Sequence, residues 1–194
     1  KCKFSISNDE TRHYLSGIYI HQTRTDDKTY LTAAATDSHR MSISKILLKK
    51  EIQFDPIILP KKTIFQLVNL LEDYEGDVKI SNEKSKIKFE MENSILISKL
   101  IDGKFPNYIQ VIPTNNKKRL EVDLKLFMDS VDRVASVSLD KKDSVKFILT
   151  KDKLNLSVNN TSSGDGNETI NVNFDHELDI SFNSRYLIDI ASQL

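Results

Sequence analysis

Cysteine is almost absent from the 194-residue chain, since Cys2 is the only one. A single cysteine excludes an intramolecular disulfide and indicates a reducing compartment, which we expect to be the cytoplasm. An excess of one charge is also missing, because 28 Lys and Arg residues balance 28 Asp and Glu residues. This balance excludes a protein whose whole surface is basic and attracts phosphate, but it permits one basic face that acidic residues elsewhere offset.

Long apolar runs are missing as well. The longest, such as residues 56–60, are far too short to span a bilayer, and no charged-then-apolar signal peptide opens the chain. The chain begins with Lys1 instead of Met, which predicts that it is a piece of a longer protein. The sequence has no glycine-rich phosphate loop, no HExxH motif and no metal-ligand spacing of Cys and His, so we expect neither a cofactor nor a metal.

Alternation of apolar and polar residues dominates what is present. Ile87, Phe89 and Met91, for example, are separated by charged residues. This period predicts strands of antiparallel sheets with one buried face. The predicted strands cover residues 15–21, 30–35, 40–47, 57–59, 78–81, 87–91, 94–100, 145–149, 154–158, 170–174 and 178–182.

Three segments have a helical period instead, at residues 63–74, 123–138 and 183–194. Pro60 is a start signal for the first helix, while Asp123 and Asn183 are predicted N-caps of the other two. Residues 2–7 read as the end of a further helix.

The order of these predicted elements repeats. A helix, a polar loop, a run of strands and a second helix occur twice, about 125 residues apart, which is too long for a solenoid repeat and suits duplicated domains. The polar stretch 113–119 predicts the boundary, with domains at residues 1–115 and 116–194. The expected architecture is α+β, with a continuous antiparallel sheet and paired helices on one face of each domain.

Four motifs give the chain a family resemblance. Residues 35–41, Ala-Thr-Asp-Ser-His-Arg-Met, resemble the Ala-Thr-Asp-Gly-His-Arg-Leu signature of the bacterial sliding clamp, the β subunit of DNA polymerase III. Residues 12–17 resemble its Arg-Tyr-Tyr-Leu-Asn-Gly segment, and residues 99–108 resemble its Lys-Leu-Val-Asp-Gly-Arg-Phe-Pro-Asp-Tyr segment. Residues 182–187 resemble its Phe-Asn-Val-Ser-Tyr-Val helix entry, so the resemblance covers essentially the whole chain.

The resemblance implies a ring that acts as a processivity factor of the replicative polymerase and is not an enzyme. In this family each protomer has three similar domains, and two protomers close head to tail around duplex DNA. Helices line the hole and sheets form the outside. This chain would hold most of the middle and C-terminal domains, and the full-length protein would be a homodimer that binds polymerase and clamp-loader subunits through linear peptides.

In this family the segment that corresponds to residues 35–41 forms one wall of a peptide-binding groove. The resemblance implies groove positions for Leu15, Thr36, Ser38, His39, Arg40, Met41, Pro106, Val111, Asn183 and Tyr186. The apolar members would form a floor, and the polar members would hydrogen-bond the peptide. Ser38 stands where the family usually has glycine, so a positive φ would be strained there. Core packing is the competing interpretation for the apolar members, above all for Leu15.

The resemblance also implies DNA-facing and seam positions. Basic and aromatic residues expected to face duplex DNA are Arg12, His13, Tyr14, Lys61, Lys62, Lys125 and Arg133. Phosphate contacts of this kind are independent of sequence and sensitive to salt, which suits sliding. Ordinary solvated helix charge is the alternative for any single lysine. Ser136 and Val137 correspond to a pair at the seam between protomers.

Two other functions compete with the ring. A clamp-like adaptor could bind peptides without encircling DNA. A hydrolase could use Asp37, Ser38 and His39, but adjacent side chains on a strand point to opposite faces, which argues against a converging nucleophile, base and orienting group.

Overall fold

A computed structural model describes residues 1–50, 52, 54–137, 144–160 and 164–194, and it is an α+β structure. Its strands are β1 (Gly17–Thr25), β2 (Lys28–Thr36), β3 (Met41–Leu47), β4 (Ile57–Pro60), β5 (Lys79–Glu83), β6 (Lys86–Met91), β7 (Ser94–Lys99), β8 (Ser144–Thr150), β9 (Lys153–Asn160), β10 (Gly164–Asn171) and β11 (Leu178–Asn183). The α-helices are α1 (Lys61–Leu71), α2 (Leu124–Ala135) and α3 (Ser184–Ala191), and 3₁₀ helices cover Cys2–Ser5, Glu10–Leu15 and Tyr108–Val111. The chain packs into two compact units, Lys1–Tyr108 and Ile109–Leu194.

The first unit contains a four-stranded antiparallel sheet in the order β3-β2-β1-β4 and a three-stranded sheet in the order β5-β6-β7. Its main core joins both sheets to α1, because Ile64 of the helix packs in one cluster with Leu59 of β4 and Phe89 of β6. Asp26 and Asp27 close the β1–β2 hairpin at φ values of 48° and 58°. Positive φ at both central residues is the pattern of a type I′ hairpin turn.

The second unit has its own core and a four-stranded antiparallel sheet in the order β10-β9-β8-β11. Val131 and Val134 on one face of α2 pack against Val145, Leu154 and other inward-facing residues of the sheet. Alternate residues of β8 are buried and exposed, as the period-two pattern predicts for a sheet with one wet face.

The predicted duplication is confirmed by the sheet topology. In each unit three consecutive strands form a meander, the next strand of the four-stranded sheet returns beside the first, and an α-helix follows directly. A connection of this kind places the last strand and the helix entry at the same point of both units. The two α+β units are therefore copies of one domain plan.

Several predicted elements differ in detail from the structure. The first unit has two separate sheets instead of one continuous sheet. Residues 2–7 do not end an α-helix, since Cys2–Ser5 form a 3₁₀ helix. The helix predicted at 63–74 begins two residues earlier, at Lys61, and α2 ends at Ala135, while Ser138 lies outside the described residues.

The division between the units follows the packing of two aromatic residues. Phe105 and Tyr108 are buried in a cluster with Leu15 and Ile58, so the chain belongs to the first unit as far as Tyr108. The prediction placed the boundary in the polar residues 113–119, which are exposed and follow this division. Among the described residues no helix combines the length and apolar character needed to cross a membrane.

Candidate functional site

The turn between β2 and β3 is held by its own side chains. Asp37 Oδ1 accepts hydrogen bonds from the backbone N–H groups of His39 and Arg40, both at 3.0 Å. Thr36 Oγ1 donates to the Arg40 carbonyl oxygen at 2.8 Å and accepts from the Ser38 N–H at 3.1 Å. Short polar side chains that bond the backbone two or three residues on are the usual device for fixing a turn. We call residues 36–41 the turn wall.

Arg40 is fixed within the turn wall on two sides. Its Nε donates to Asp37 Oδ2 at 3.0 Å, and the two side chains are only 14% and 15% exposed. The guanidinium also lies over the ring of Phe4, 5.4 Å from the centroid, which is a cation–π geometry. The Asp37 carboxylate is thus occupied by Arg40 and by two backbone N–H groups, as expected of a residue that holds a turn.

Ser38 occupies the left-handed region, with a φ of 78°. The strain expected for a serine in the place of glycine is therefore present. Its hydroxyl oxygen accepts a hydrogen bond from Arg12 Nη1 at 2.5 Å. Arg12 Nε in turn donates to Asp9 Oδ2 at 2.8 Å, so Arg12, which was expected to face DNA, connects Asp9 to the turn wall.

Asp9 also starts the 3₁₀ helix Glu10–Leu15. Its Oδ1 accepts from both the backbone N–H and the hydroxyl of Thr11, at 2.9 and 2.6 Å. The hydrogen bonds from the side chains of Thr11 and Arg12 lower the pKa of Asp9 to about 2. Asp9 is therefore ionised at neutral pH.

The predicted apolar floor divides into core and surface. Leu15 is 3% exposed and packs with Phe105 and Tyr108, so its side chain belongs to the core of the first unit. Met41 is partly buried against the same cluster and keeps part of its side chain accessible. Pro106 is exposed beside buried Phe105. Met41 and Pro106 are the members of this set that a ligand of the first unit can reach.

An aromatic stack lies beneath this floor. The rings of Phe105 and Tyr19 stack at 4.9 Å, and Tyr19 stacks on His21 at 4.5 Å. His21 Nδ1 donates to the carbonyl oxygen of Gln22 at 3.0 Å, and in the uncharged ring Nε2 accepts from the Tyr108 hydroxyl at 2.8 Å. Burial lowers the pKa of His21 and raises the pKa of Tyr108. Nothing in the spacing of the sequence pointed to this pair.

A basic depression in the first unit collects three of the residues that were predicted to face DNA. It is lined by Ser7, Asn8, Glu10, His13, Ser16, Pro60, Lys61, Lys62, Lys99, Leu100, Ile101 and Asp102. Lys61 and Lys62 open α1, and Lys61 Nζ donates to Asn8 Oδ1. His13 Nε2 donates to the Asp102 carbonyl oxygen at 3.0 Å. Lys99 belongs to the same depression and was missed, because it reads only as the end of a strand.

Tyr14, also expected to face DNA, is partly buried. It packs against the cluster around Leu15 and next to Gly103, where an added Cβ would lie 3.1 Å from the Tyr14 Cβ. Gly103 has a φ of 149°, which a side chain rarely adopts, so glycine is needed at this contact.

In the second unit, the two predicted basic residues differ in environment. Lys125, near the start of α2, is exposed. Arg133 forms an ion pair with Glu168 on β10, with distances of 2.6 Å from Nη2 and 3.0 Å from Nε, and Nη2 also donates to Ser130. The hydrogen bond from Arg133 lowers the pKa of Glu168. Arg133 is therefore already neutralised within its own unit.

The remaining predicted positions also lie in the second unit. Asn183 caps α3, since its Oδ1 accepts from the Tyr186 N–H at 3.3 Å, and the Tyr186 side chain is half-buried. Val111 is 69% exposed. Ser136 follows α2 and donates to the Arg133 carbonyl oxygen at 2.6 Å, while Val137 packs against the core. Within the described residues, no group of three or more His, Cys, Asp or Glu is placed to hold a metal ion.

The two units share one α+β plan, and the first contains a turn wall that is fixed by its own side chains. These features place the chain in the class of duplicated clamp domains. Family models match both units: that of the DNA polymerase III beta subunit central domain matches residues 1–107, and that of its C-terminal domain matches residues 109–194. The chain therefore belongs to the bacterial sliding clamp family, that of the DNA polymerase III beta subunit.

Similar proteins agree with this assignment. The beta sliding clamp of Caulobacter vibrioides is 38% identical over 196 residues, and the match covers 100% of this chain and 53% of that protein. The beta sliding clamp of Escherichia coli is 27% identical over 193 residues, covering 99% of this chain and 52% of that protein. The chain thus spans about half the length of the curated relatives that it matches.

Solved structures show the same likeness. A sliding clamp from Bartonella birtlesii, bound to griselimycin, has a TM-score of 0.95 and 39% identity, and the match covers 100% of this chain and 52% of that one. A DNA polymerase sliding clamp from Caulobacter crescentus has a TM-score of 0.93 and 38% identity, with the same coverage. The resemblance found in the four sequence motifs is confirmed.

Proposed function

We propose that the full-length protein is a DNA sliding clamp, a non-catalytic processivity factor that encircles duplex DNA and tethers the replicative polymerase. The observation that carries the proposal is the turn wall, whose sequence resembles the family signature and whose backbone is fixed by Asp37 and Thr36. A rigid surface beside an accessible apolar side chain, Met41, suits the docking of short linear peptides from polymerase and clamp-loader subunits.

The chemistry of the turn wall suits exchangeable binding. A peptide that buries two side chains such as Leu and Phe gains about 1.5–3 kcal/mol for each one before ordering costs are subtracted. A micromolar complex needs about −8 kcal/mol, so additional hydrogen bonds from the wall have to supply the rest. Asn183, Tyr186 and Val111 are proposed to contribute to peptide binding from the second unit. An affinity of this order allows several partners to use one platform in turn.

The basic depression supports a role in DNA contact. Lys61, Lys62 and Lys99 line it together with His13, so several cationic groups are available to phosphates in one place. Such contacts do not depend on sequence and weaken with salt. Since the net charge of the chain is zero, we propose that DNA is retained mainly by enclosure in a homodimeric ring, with Ser136 and Val137 near the seam between protomers.

Substitution of Met41 by aspartate in the full-length protein tests the peptide-binding surface. A fluorescent Gln-Leu-Ala-Leu-Phe peptide should bind the unaltered protein, and M41D should weaken binding at least about tenfold, because a charge would replace an apolar contact. Fluorescence anisotropy measures the affinity. Ile46→Asp is the matched control, since Ile46 lies at the far end of the same strand and is 65% exposed, and it should bind normally.

Two outcomes would contradict parts of the proposal. Absence of binding at millimolar peptide would remove the peptide-binding function. Normal peptide binding with no retention on circular DNA, when linear DNA serves as the reference, would favour the adaptor that does not encircle DNA.

A further inference from the structure

Ser38 differs from the other residues that adopt a positive φ. Among the described residues, the non-glycine positions with positive φ are Asp26, Asp27, Ser38, Lys84 and Asp152. All except Ser38 lie in two-residue turns between paired strands, where the twist of the hairpin requires this conformation. Ser38 lies in a four-residue connection between β2 and β3, so the hairpin geometry does not explain its strain.

The hydrogen bonds of the turn wall explain it instead. Asp37 accepts hydrogen bonds from the N–H groups of His39 and Arg40, and Thr36 accepts one from the N–H of Ser38 itself. These bonds hold the four-residue connection in a tight turn that contains Ser38 at its positive φ. A serine in this left-handed conformation carries steric strain that a glycine would not carry.

The hydroxyl of Ser38 recovers an interaction that glycine could not make. It lies 2.5 Å from Arg12 Nη1, although 26 residues separate the two in the chain. Charge-assisted hydrogen bonds of this length are stronger than bonds between neutral groups. The contact therefore stabilises the strained conformation from outside the turn.

Arg12 is itself held in place for this contact. Its Nε donates to Asp9 Oδ2 at 2.8 Å, and Asp9 is anchored by two hydrogen bonds from Thr11. The planar guanidinium presents several N–H donors in a fixed geometry, so Nε can donate to Asp9 while Nη1 donates to Ser38. The result is a continuous chain of polar contacts from the start of the 3₁₀ helix Glu10–Leu15 to the turn wall.

We propose that Arg12 is a positioning residue for the peptide-binding surface: through Ser38 it holds the turn wall in the conformation that binds a linear peptide. This inference rests on the proposed function of the turn wall. It also gives Arg12 a different role from the DNA contact expected from its place in the sequence. Ser38 and Arg12 act as a pair, so removal of either should have the same consequence.

A double-mutant cycle in the full-length protein tests the pairing. R12A, S38A and the double variant are compared by anisotropy with the Gln-Leu-Ala-Leu-Phe peptide. Each single variant should bind about fivefold more weakly, equivalent to about 1 kcal/mol, and the double variant should bind no more weakly than either single one. Independent effects, with the double variant about 25-fold weaker, would overturn the proposal.

Conservative variants separate positioning from general damage to the fold. Asparagine tolerates the left-handed region and carries an acceptor oxygen, so S38N should bind the peptide more tightly than S38A in the presence of Arg12 but not in the R12A background. A rescue that is equal in both backgrounds would show that relief of strain alone matters. Arg24→Ala is the matched control, because Arg24 forms an exposed pair with Asp27 at the same spacing, and it should bind normally.

Retention on circular DNA supplies the second readout. S38A and R12A should both retain DNA like the unaltered protein, and their apparent melting temperatures should stay within a few degrees of its value. Loss of DNA retention in R12A, together with normal peptide binding in S38A, would make Arg12 a DNA contact and overturn the proposal. If the unaltered protein fails to bind the peptide, the proposed function itself fails; if it binds and the cycle is additive, only the role of Arg12 fails.

Discussion

His21 is a buried titratable side chain in the core beneath the turn wall, and it is only 8% exposed. Burial lowers the pKa of His21 and favours the uncharged ring, whose Nε2 accepts a hydrogen bond from the Tyr108 hydroxyl. Tyr19 stacks on one side of the ring, and the positive charge of Lys45 further opposes protonation. Protonation would place a charge inside a packed aromatic cluster, which is why burial lowers the pKa of this group.

This environment predicts a loss of stability in mild acid. A histidine whose pKa is lowered by folding binds its proton more readily in the unfolded chain, so the free energy of unfolding falls as the pH drops below about 6.5. The apparent melting temperature should therefore decrease between pH 7.5 and pH 5.5. In His21→Gln, whose amide oxygen can accept from Tyr108, the decrease should be smaller.

Tyr108→Phe is the control for that experiment, because it removes the hydroxyl but leaves a titrating imidazole. Its melting temperature should be lower than that of the unaltered protein, with the pH dependence preserved. An identical pH dependence in His21→Gln and the unaltered protein would show that other groups cause the acid sensitivity.

Helix α2 depends on the side chain that precedes it. Asp123 Oδ1 accepts from the Leu126 N–H at 2.8 Å and satisfies one of the N–H groups that a helix leaves free at its start. Asp123→Ala should lower the free energy of unfolding of the second unit by about 1 kcal/mol, whereas Asp123→Ser should have a much smaller effect. Hydrogen exchange of the α2 amides measures the change for this unit, and equal protection in both variants would contradict the capping role.

The helix caps and most strands could be predicted, because their causes are local. Asp123 and Asn183 were recognised as caps from residue type and position alone, and both caps are confirmed. The strand predicted at residues 170–174 ends earlier, at Asn171. Its partner β9 starts at Lys153, so the residues after Asn171 have no strand beside them to extend the ladder. Val172 and Phe174 bond to Asp152 in the turn, and Asn173 bonds to Glu121.

The start of β10 was missed for a related reason. Its first residues, Gly164–Asn167, are of types that favour turns, and only pairing with β9 makes them a strand. Gly166 belongs there because a Cβ would lie 2.7 Å from the carbonyl oxygen of Val134 on α2. Close approach of a helix to a strand is a property of the tertiary structure, which no local pattern reveals.

The candidate site was predictable as a stretch of sequence but not as a set of contacts. The signature at residues 35–41 predicted the position of the turn wall and the backbone strain at Ser38. The partners of that wall are distant in the chain: Arg12 reaches Ser38, and Phe4 lies under Arg40. Such pairs arise only when the fold brings the first 3₁₀ segments beside the end of β2.

For the protein as a whole, we predict that charge and topology separate DNA retention from peptide binding. Lys61→Glu combined with Lys62→Glu should reduce retention of the full-length protein on circular DNA and make it less dependent on salt, because phosphate contacts are lost. Peptide affinity should not change, since neither residue belongs to the turn wall. Half-lives on nicked circular DNA at several salt concentrations provide the measurement.

Lys49→Glu combined with Lys50→Glu is the matched control, because it makes the same change in net charge at two adjacent exposed lysines beyond the end of β3 that do not line the basic depression. It should leave retention unchanged. Equal loss in the two double variants would mean that overall charge decides retention, and that the basic depression has no special role.

The closed set of bonds within the turn wall has a kinetic consequence. Asp37 and Thr36 remove most of the freedom of this loop when the protein folds, so an arriving peptide does not have to order its receptor. Encounters can then proceed without a slow conformational step, and a weak complex can dissociate within a short residence time. Competition among partners would then depend less on their intrinsic affinities than on their local concentrations. The order in which partners occupy the turn wall would follow from how many copies of each are tethered nearby.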